Sequence, residues 1–86
     1  MNSFNTTDAE LLDLLRTGDR RAFATIYERY CSILYGVAFR ILNDHDLAKD
    51  IVQEAFIMLF ETRNNRVINN LKAYLFQTVK YRCFMH

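Results

Sequence analysis

A compact all-α bundle of about four helices is the architecture encoded by this 86-residue chain. Prolines are absent and the two glycines are Gly18 and Gly36, so strands and tight hairpins lack their usual punctuation. Apolar residues make up 51% of the chain and recur at three- and four-residue steps over long runs, which is the period of helices packed on a common core. A chain this short holds together only if that apolar fraction goes into one core, so a single helical domain is expected over residues 8–86, after a disordered tail at 1–7.

The first helix opens at Thr7-Asp8-Ala9-Glu10, a capping box in which the Thr7 hydroxyl and the Glu10 carboxylate satisfy each other's backbone amides. Leu11, Leu12, Leu14 and Leu15 supply its apolar face, and Gly18 is placed to end it in a left-handed conformation. Asp19 caps a long second helix, along which Phe23, Ile26, Tyr27, Tyr30, Leu34, Val37, Ala38 and Ile41 repeat without a break as far as Asn43. Cys31 reads as a small hydrophobe on its core stripe.

Asn43-Asp44-His45-Asp46 is a turn, with Asp44 or Asp46 as the cap of a third helix packed antiparallel to the second. On that helix Leu47, Ile51, Ala55, Met58 and Leu59 share the expected inner face. Asp46, Asp50, Gln53, Glu54 and Glu61 form the opposite stripe, with Ile57 inside it and Phe60 at its edge. Residues 62–70 break the pattern with four asparagines and two arginines, and Val67-Ile68 should pin this loop to the core. A fourth helix begins at Asn69 or Asn70, with Leu71, Leu75, Thr78, Val79 and Met85 inward and Lys72, Phe76, Gln77, Lys80 and Phe84 outward. Its apolar pattern continues to Cys83-Phe84-Met85-His86 without a stop signal, as in a segment of a longer protein.

Two cysteines far apart give no disulfide framework, and the N-terminus has no signal-peptide pattern. The expected setting is therefore a reducing cytoplasm, without membrane insertion because no apolar run approaches the roughly 20 residues of a span. All ten acids precede residue 62, whereas Arg63, Arg66, Lys72, Lys80 and Arg82 follow with no acid among them. A polyanion is thus attracted to one end of a mildly acidic body. Catalysis finds no nucleophile–histidine spacing and no phosphate-binding glycine loop, so an enzyme is not expected. Cys83 and His86 alone do not make a metal site, and no metal or cofactor is expected. The basic end is better suited to nucleic acid, since cations neutralise phosphates while Tyr74, Phe76, Tyr81 and Phe84 offer faces on which unpaired bases stack.

Four blocks in order give a more specific reading. They are Ala22-Phe23-x-x-Ile26-Tyr27-x-x-Tyr30, Leu34-Tyr35-x-x-Ala38-x-Arg40-Ile41-Leu42, Asp50-Ile51-Val52-Gln53-Glu54-x-Phe56 and Asn70-Leu71-Lys72-Ala73-Tyr74-Leu75-Phe76. Together they strongly resemble region 2 of the sigma-70 family of RNA polymerase sigma factors. The chain looks most like the small extracytoplasmic-function subgroup, and the Asn70–Phe76 variant is similar to members from the Bacteroides lineage.

The resemblance implies a helical domain that docks on the clamp helices of the polymerase's largest catalytic subunit. The family's docking helix maps onto Asp50, Gln53 and Glu54, with Ile57 beside them. It further implies that the loop and fourth helix recognise and melt the promoter −10 element and hold its non-template strand, with a flipped base in the loop. The corresponding residues are Asn64, Asn65, Arg66 and Asn69 in the loop, and Lys72, Tyr74, Gln77 and Lys80 on the helix. An anti-sigma factor is a further implied partner. Lys80-Tyr81 departs from the basic-Asn pair of many members, and the helix-turn-helix that reads the −35 element is absent from this sequence. The alternative is a sigma-like protein-binding module, a decoy or anti-sigma partner that never touches DNA.

Overall fold

The computed structural model describes residues 6–86; the rest of the expected N-terminal tail lies outside the described residues. Four helices follow in order: α1 Asp8–Arg16, α2 Arg20–Leu42, α3 His45–Thr62 and α4 Leu71–Met85. No strand occurs among the described residues. The Cα radius of gyration is 12.8 Å, against about 12 Å for a compact domain of this length.

Every helix begins on a residue whose side chain accepts a backbone amide. Thr7 and Glu10 form the capping box of α1, Asp19 accepts from Arg21 and Ala22, Asp44 from Leu47, and Asn70 from Ala73. Chain reversals use left-handed residues where they are sharpest. Gly18 has φ +83° after α1, and Asn43 has φ 53° after α2, its amide donating to the Phe39 carbonyl at 2.7 Å. Only Asn43 and Asp44 separate α2 from α3, so the two helices run antiparallel. Behind this turn the His45 ring stacks on Phe39, centroids 4.3 Å apart, and its Nδ1 meets the Tyr35 hydroxyl.

Phe56 of α3 is fully buried, with Tyr27 of α2 at 4.8 Å and Phe23 edge-on at 6.4 Å between ring centroids. Around it pack Leu11, Leu12 and Leu15 from α1, Ile26 and Leu34 from α2, Leu59 from α3, and Leu71, Leu75 and Val79 from α4. Ile68 alone pins the α3–α4 loop, because Val67 points into solvent.

The buried arc of α3 is displaced from the expected one. Ala48, Val52 and Phe56 join Ile51, Ala55 and Leu59 inside, while Leu47 and Met58 sit at the margin. The reason is that α3 is covered on two sides, by α2 and α4, so its buried stripe is wider than a single apolar row. On α4 the inner row runs Leu71, Leu75, Val79, Cys83, and Met85 is exposed. Leu14 is also exposed, whereas Phe60 and Phe76, expected on the outside, rest partly buried against the core. Cys31 is half-buried rather than on the core stripe.

One polar cluster fastens α1 to α2. The Arg29 guanidinium donates to Asp8 at 2.7 Å and to the Thr6 carbonyl at 2.8 Å, and the Tyr30 hydroxyl donates to the second Asp8 oxygen. Burial first, and the hydrogen bond to the Asp8 carboxylate second, push the Tyr30 phenol up to about 12.

Candidate functional site

The exposed stripe of α3 looks onto two grooves. On the α4 side, Asp50 and Glu54 form one wall of a cleft of about 750 Å³, and Tyr74, Gln77, Tyr81 and Arg82 form the other, with Arg66 of the loop among its lining residues. On the α2 side, Gln53 borders a cleft of about 470 Å³ with Lys49, Tyr27 and Tyr35. The Tyr27 phenol is pushed up by its hydrogen bond to the Cys31 thiol. Ile57 stands one turn beyond Gln53 and is 54% exposed, so an apolar group sits within the polar stripe.

Glu54 is tied across its cleft. Arg82 donates to the Glu54 carboxylate at 2.6 Å and, through Nε, to the Met58 sulfur at 3.0 Å. This is the one ion pair joining α3 to α4 among the described residues. Asp50, one turn earlier, has no ion-pair partner there and presents an open carboxylate.

The loop after α3 turns on hydrogen bonds from the Asn65 and Arg66 amides to the Thr62 carbonyl, at 3.0 and 3.2 Å. Its side chains point outward: Asn64, Asn65, Arg66 and Val67 are all exposed. Arg63 instead folds back, its guanidinium 3.9 Å from the centre of the Phe60 ring and donating to the Phe60 carbonyl at 2.7 Å. Asn69 lines a cleft of about 430 Å³ with Asp8, Asp13 and Arg16 of α1.

On α4, Lys72 stands 5.8 Å from the centre of the Phe76 ring one turn ahead, and Lys80 continues that exposed row. The Tyr74 hydroxyl is within 3.3 Å of Thr62 Oγ1, leaving its ring edge on the cleft. The expected site residues therefore fall into groups. Asp50, Glu54, Arg66, Tyr74 and Gln77 meet in one cleft, Gln53 and Ile57 lie on its α2 side, and Lys72 and Lys80 lie along the outer face of α4. Asn69 lines a different cleft from Asn64 and Asn65, with Arg16 bordering both. Arg82, Arg63 and Arg16 were missed as neighbours of these residues. The Glu54–Arg82 pair spans 28 positions in the chain, beyond any local pattern.

Among the described residues no group of three or more His, Cys, Asp or Glu could hold a metal ion, and burial pushes the Cys83 thiol up, which suits a core position. No helix among them is long and apolar enough to cross a membrane.

Residues 26–86 match the family model described as Sigma-70 region 2. Two curated relatives share part of this stretch. The RNA polymerase sigma-H factor of Pseudomonas aeruginosa is 33% identical over 58 residues, covering 67% of this chain and 30% of that protein. The ECF RNA polymerase sigma factor SigK of Mycobacterium ulcerans is 31% identical over 55 residues, covering 64% and 29%. The chain thus spans less than a third of the length of these relatives. No solved structure matches significantly.

Proposed function

The chain belongs to the sigma-70 region 2 family, and from that premise we propose that it acts in transcription initiation as a non-catalytic domain joining core RNA polymerase to melted promoter DNA. Asp50, Gln53, Glu54 and Ile57 dock on the clamp helices of the largest polymerase subunit. An exposed row of carboxylate and amide groups suits arginines on a partner helix, and Ile57 adds apolar area at its centre. Asn64, Asn65, Arg66 and Asn69 of the loop, with Lys72, Tyr74, Gln77 and Lys80 of α4, hold the non-template strand of the −10 element. An anti-sigma factor would act by covering either surface, and the site of action is the cytoplasm, where the polymerase is. The Asn70–Phe76 block supports reading the chain as similar to Bacteroides-lineage members of the extracytoplasmic-function subgroup.

The observation that carries this reading is the division of charge along the chain. Every acid of the chain lies before residue 62, while the loop and α4 carry five cations and no acid. The exposed stripe of α3 therefore suits a basic protein surface, and the loop with α4 suits a phosphate chain. A pull-down with core polymerase tests the first part: Asp50→Ala with Gln53→Ala should weaken capture of polymerase by a domain that remains folded. For the second part, Lys72→Ala and Lys80→Ala should weaken binding to single-stranded −10 DNA and flatten its salt dependence, each by one phosphate contact. Polymerase binding with no DNA binding would instead make the chain a protein-binding module, and capture unchanged by the α3 pair would refute the docking face.

A further inference from the structure

Between the end of α1 and the α3–α4 loop lies a pocket of about 420 Å³ lined by Arg16, Arg63, Asn64, Asn65, Arg66 and Val67. Three arginines and two asparagines line it, with no acid among the lining residues. They come from two distant parts of the chain, so local composition does not explain the meeting. The three arginines are engaged unequally. Arg16 has a loose, solvent-exposed bridge of 3.6 Å to Asp13, and Arg63 and Arg66 have no carboxylate partner among the described residues.

The second observation is independent of charge. Nε of Arg63 is buried and has no hydrogen-bond partner, although the same guanidinium donates to the Phe60 carbonyl and stacks on the Phe60 ring. A buried donor without an acceptor is rare in folded proteins, and it marks this guanidinium as one that the protein's own groups do not fully satisfy. A guanidinium already held against an aromatic ring also loses little further freedom when it takes up an oxyanion.

We propose that Arg16, Arg63 and Arg66 form a phosphodiester-binding site, with the Asn64 and Asn65 amides at its rim. The proposal rests on the nucleic-acid reading above and extends it. It brings in Arg16 and Arg63, places a cation of α1 on the DNA, and makes this side of the loop a grip on the sugar–phosphate chain. Arg66 lines both this pocket and the α3–α4 cleft, so a strand held here by a phosphate passes directly to Tyr74 and Gln77.

Arg16→Gln gives the cleanest test, since Arg16 is exposed on α1 and its loss leaves the Phe60 contacts of Arg63 intact. In anisotropy titrations of a single-stranded −10 oligonucleotide with the 86-residue domain, Arg16→Gln should lower the salt slope by about 0.7, which is about a fivefold loss of affinity near 0.1 M salt. Arg63→Lys, which keeps the charge but loses Nε, should also weaken binding, and Arg40→Gln on α2 should not. Uncharged methylphosphonate linkages in the oligonucleotide should abolish the difference between wild type and Arg16→Gln. Millimolar inorganic phosphate should compete no better than chloride of equal ionic strength. Competition by phosphate alone would assign the pocket to a free anion and overturn the proposal. If Lys80→Ala weakens binding while Arg16→Gln does not, the arginine site is wrong and the DNA role of α4 stands. If neither variant changes affinity, the nucleic-acid reading falls and the site with it.

Discussion

Among the described residues two arginine–carboxylate pairs cross between helices, and their surroundings differ. At the α1–α2 seam, Arg29 and Asp8 have side chains 27% and 30% exposed, and each has a further partner, the Thr6 carbonyl for one and the Tyr30 hydroxyl for the other. At the α3–α4 seam, Arg82 and Glu54 are 35% and 48% exposed, and beyond each other only the Met58 sulfur is engaged. The first is a network held partly out of water, where losing one member strands the rest. The second is a surface pair whose net worth to folding is small. A bond that contributes little to stability is easily exchanged, and it lies on the cleft where the proposed binding residues meet. The firm pair fastens α1, which lies outside the stretch matched to the family.

The largest test of this contrast removes the apolar footing of the firm seam. Leu15 is fully buried, so Leu15→Ala should cost about 2–5 kcal/mol in urea or thermal unfolding, while the folded fraction still captures polymerase through α3. Asp8→Asn comes next. It takes the carboxylate from Arg29 and Tyr30 together and should cost about 1–3 kcal/mol, the penalty of partly buried polar groups left unmatched.

The same network has a pH signature. Tyr30 titrates near 12 in the folded protein against an ordinary 10.0, so folding favours the protonated phenol. That contribution is complete below pH 10 and is lost as pH rises from 10 to 12, by at most about 2–3 kcal/mol in alkaline unfolding curves. Asp8→Asn should shrink this loss and end it at lower pH, because the unfolded phenol still sets where it begins. The smallest effect belongs to the second seam. Glu54→Gln should change stability by less than about 1 kcal/mol and still weaken polymerase capture. A stability loss equal to that of Asp8→Asn would end the distinction between the two seams.

How far the chain could be read follows from the range of the forces involved. Thr7, Asp19, Asp44 and Asn70 cap their helices, and Asn43 turns left-handed, because each acts on backbone groups within four residues. Helical period placed Ile51, Ala55 and Leu59 inside. It misplaced Leu47 and Met58, since a wheel drawn for one packing partner cannot foresee the second helix that buries Ala48, Val52 and Phe56. Met85 was placed inward by spacing although Cys83 continues the Leu71–Leu75–Val79 row. Among the site residues, exposure of Asp50, Gln53 and Ile57 was legible from the stripe itself. The engagement of Glu54 by Arg82, and the meeting of Arg16 with Arg63, depend on tertiary geometry between distant positions and left no trace in any local pattern.

The two-residue connection between α2 and α3 also orders events in time. Closing a chain across Asn43 and Asp44 costs little loop entropy, and the pair it joins carries Ile26, Leu34 and Phe56 of the central core. Folding is therefore expected to nucleate in this hairpin, with α1 and α4 condensing onto it afterwards. The helix that bears the proposed docking stripe then belongs to the earliest structure to form, and the cleft beside it takes its final shape only when α4 arrives.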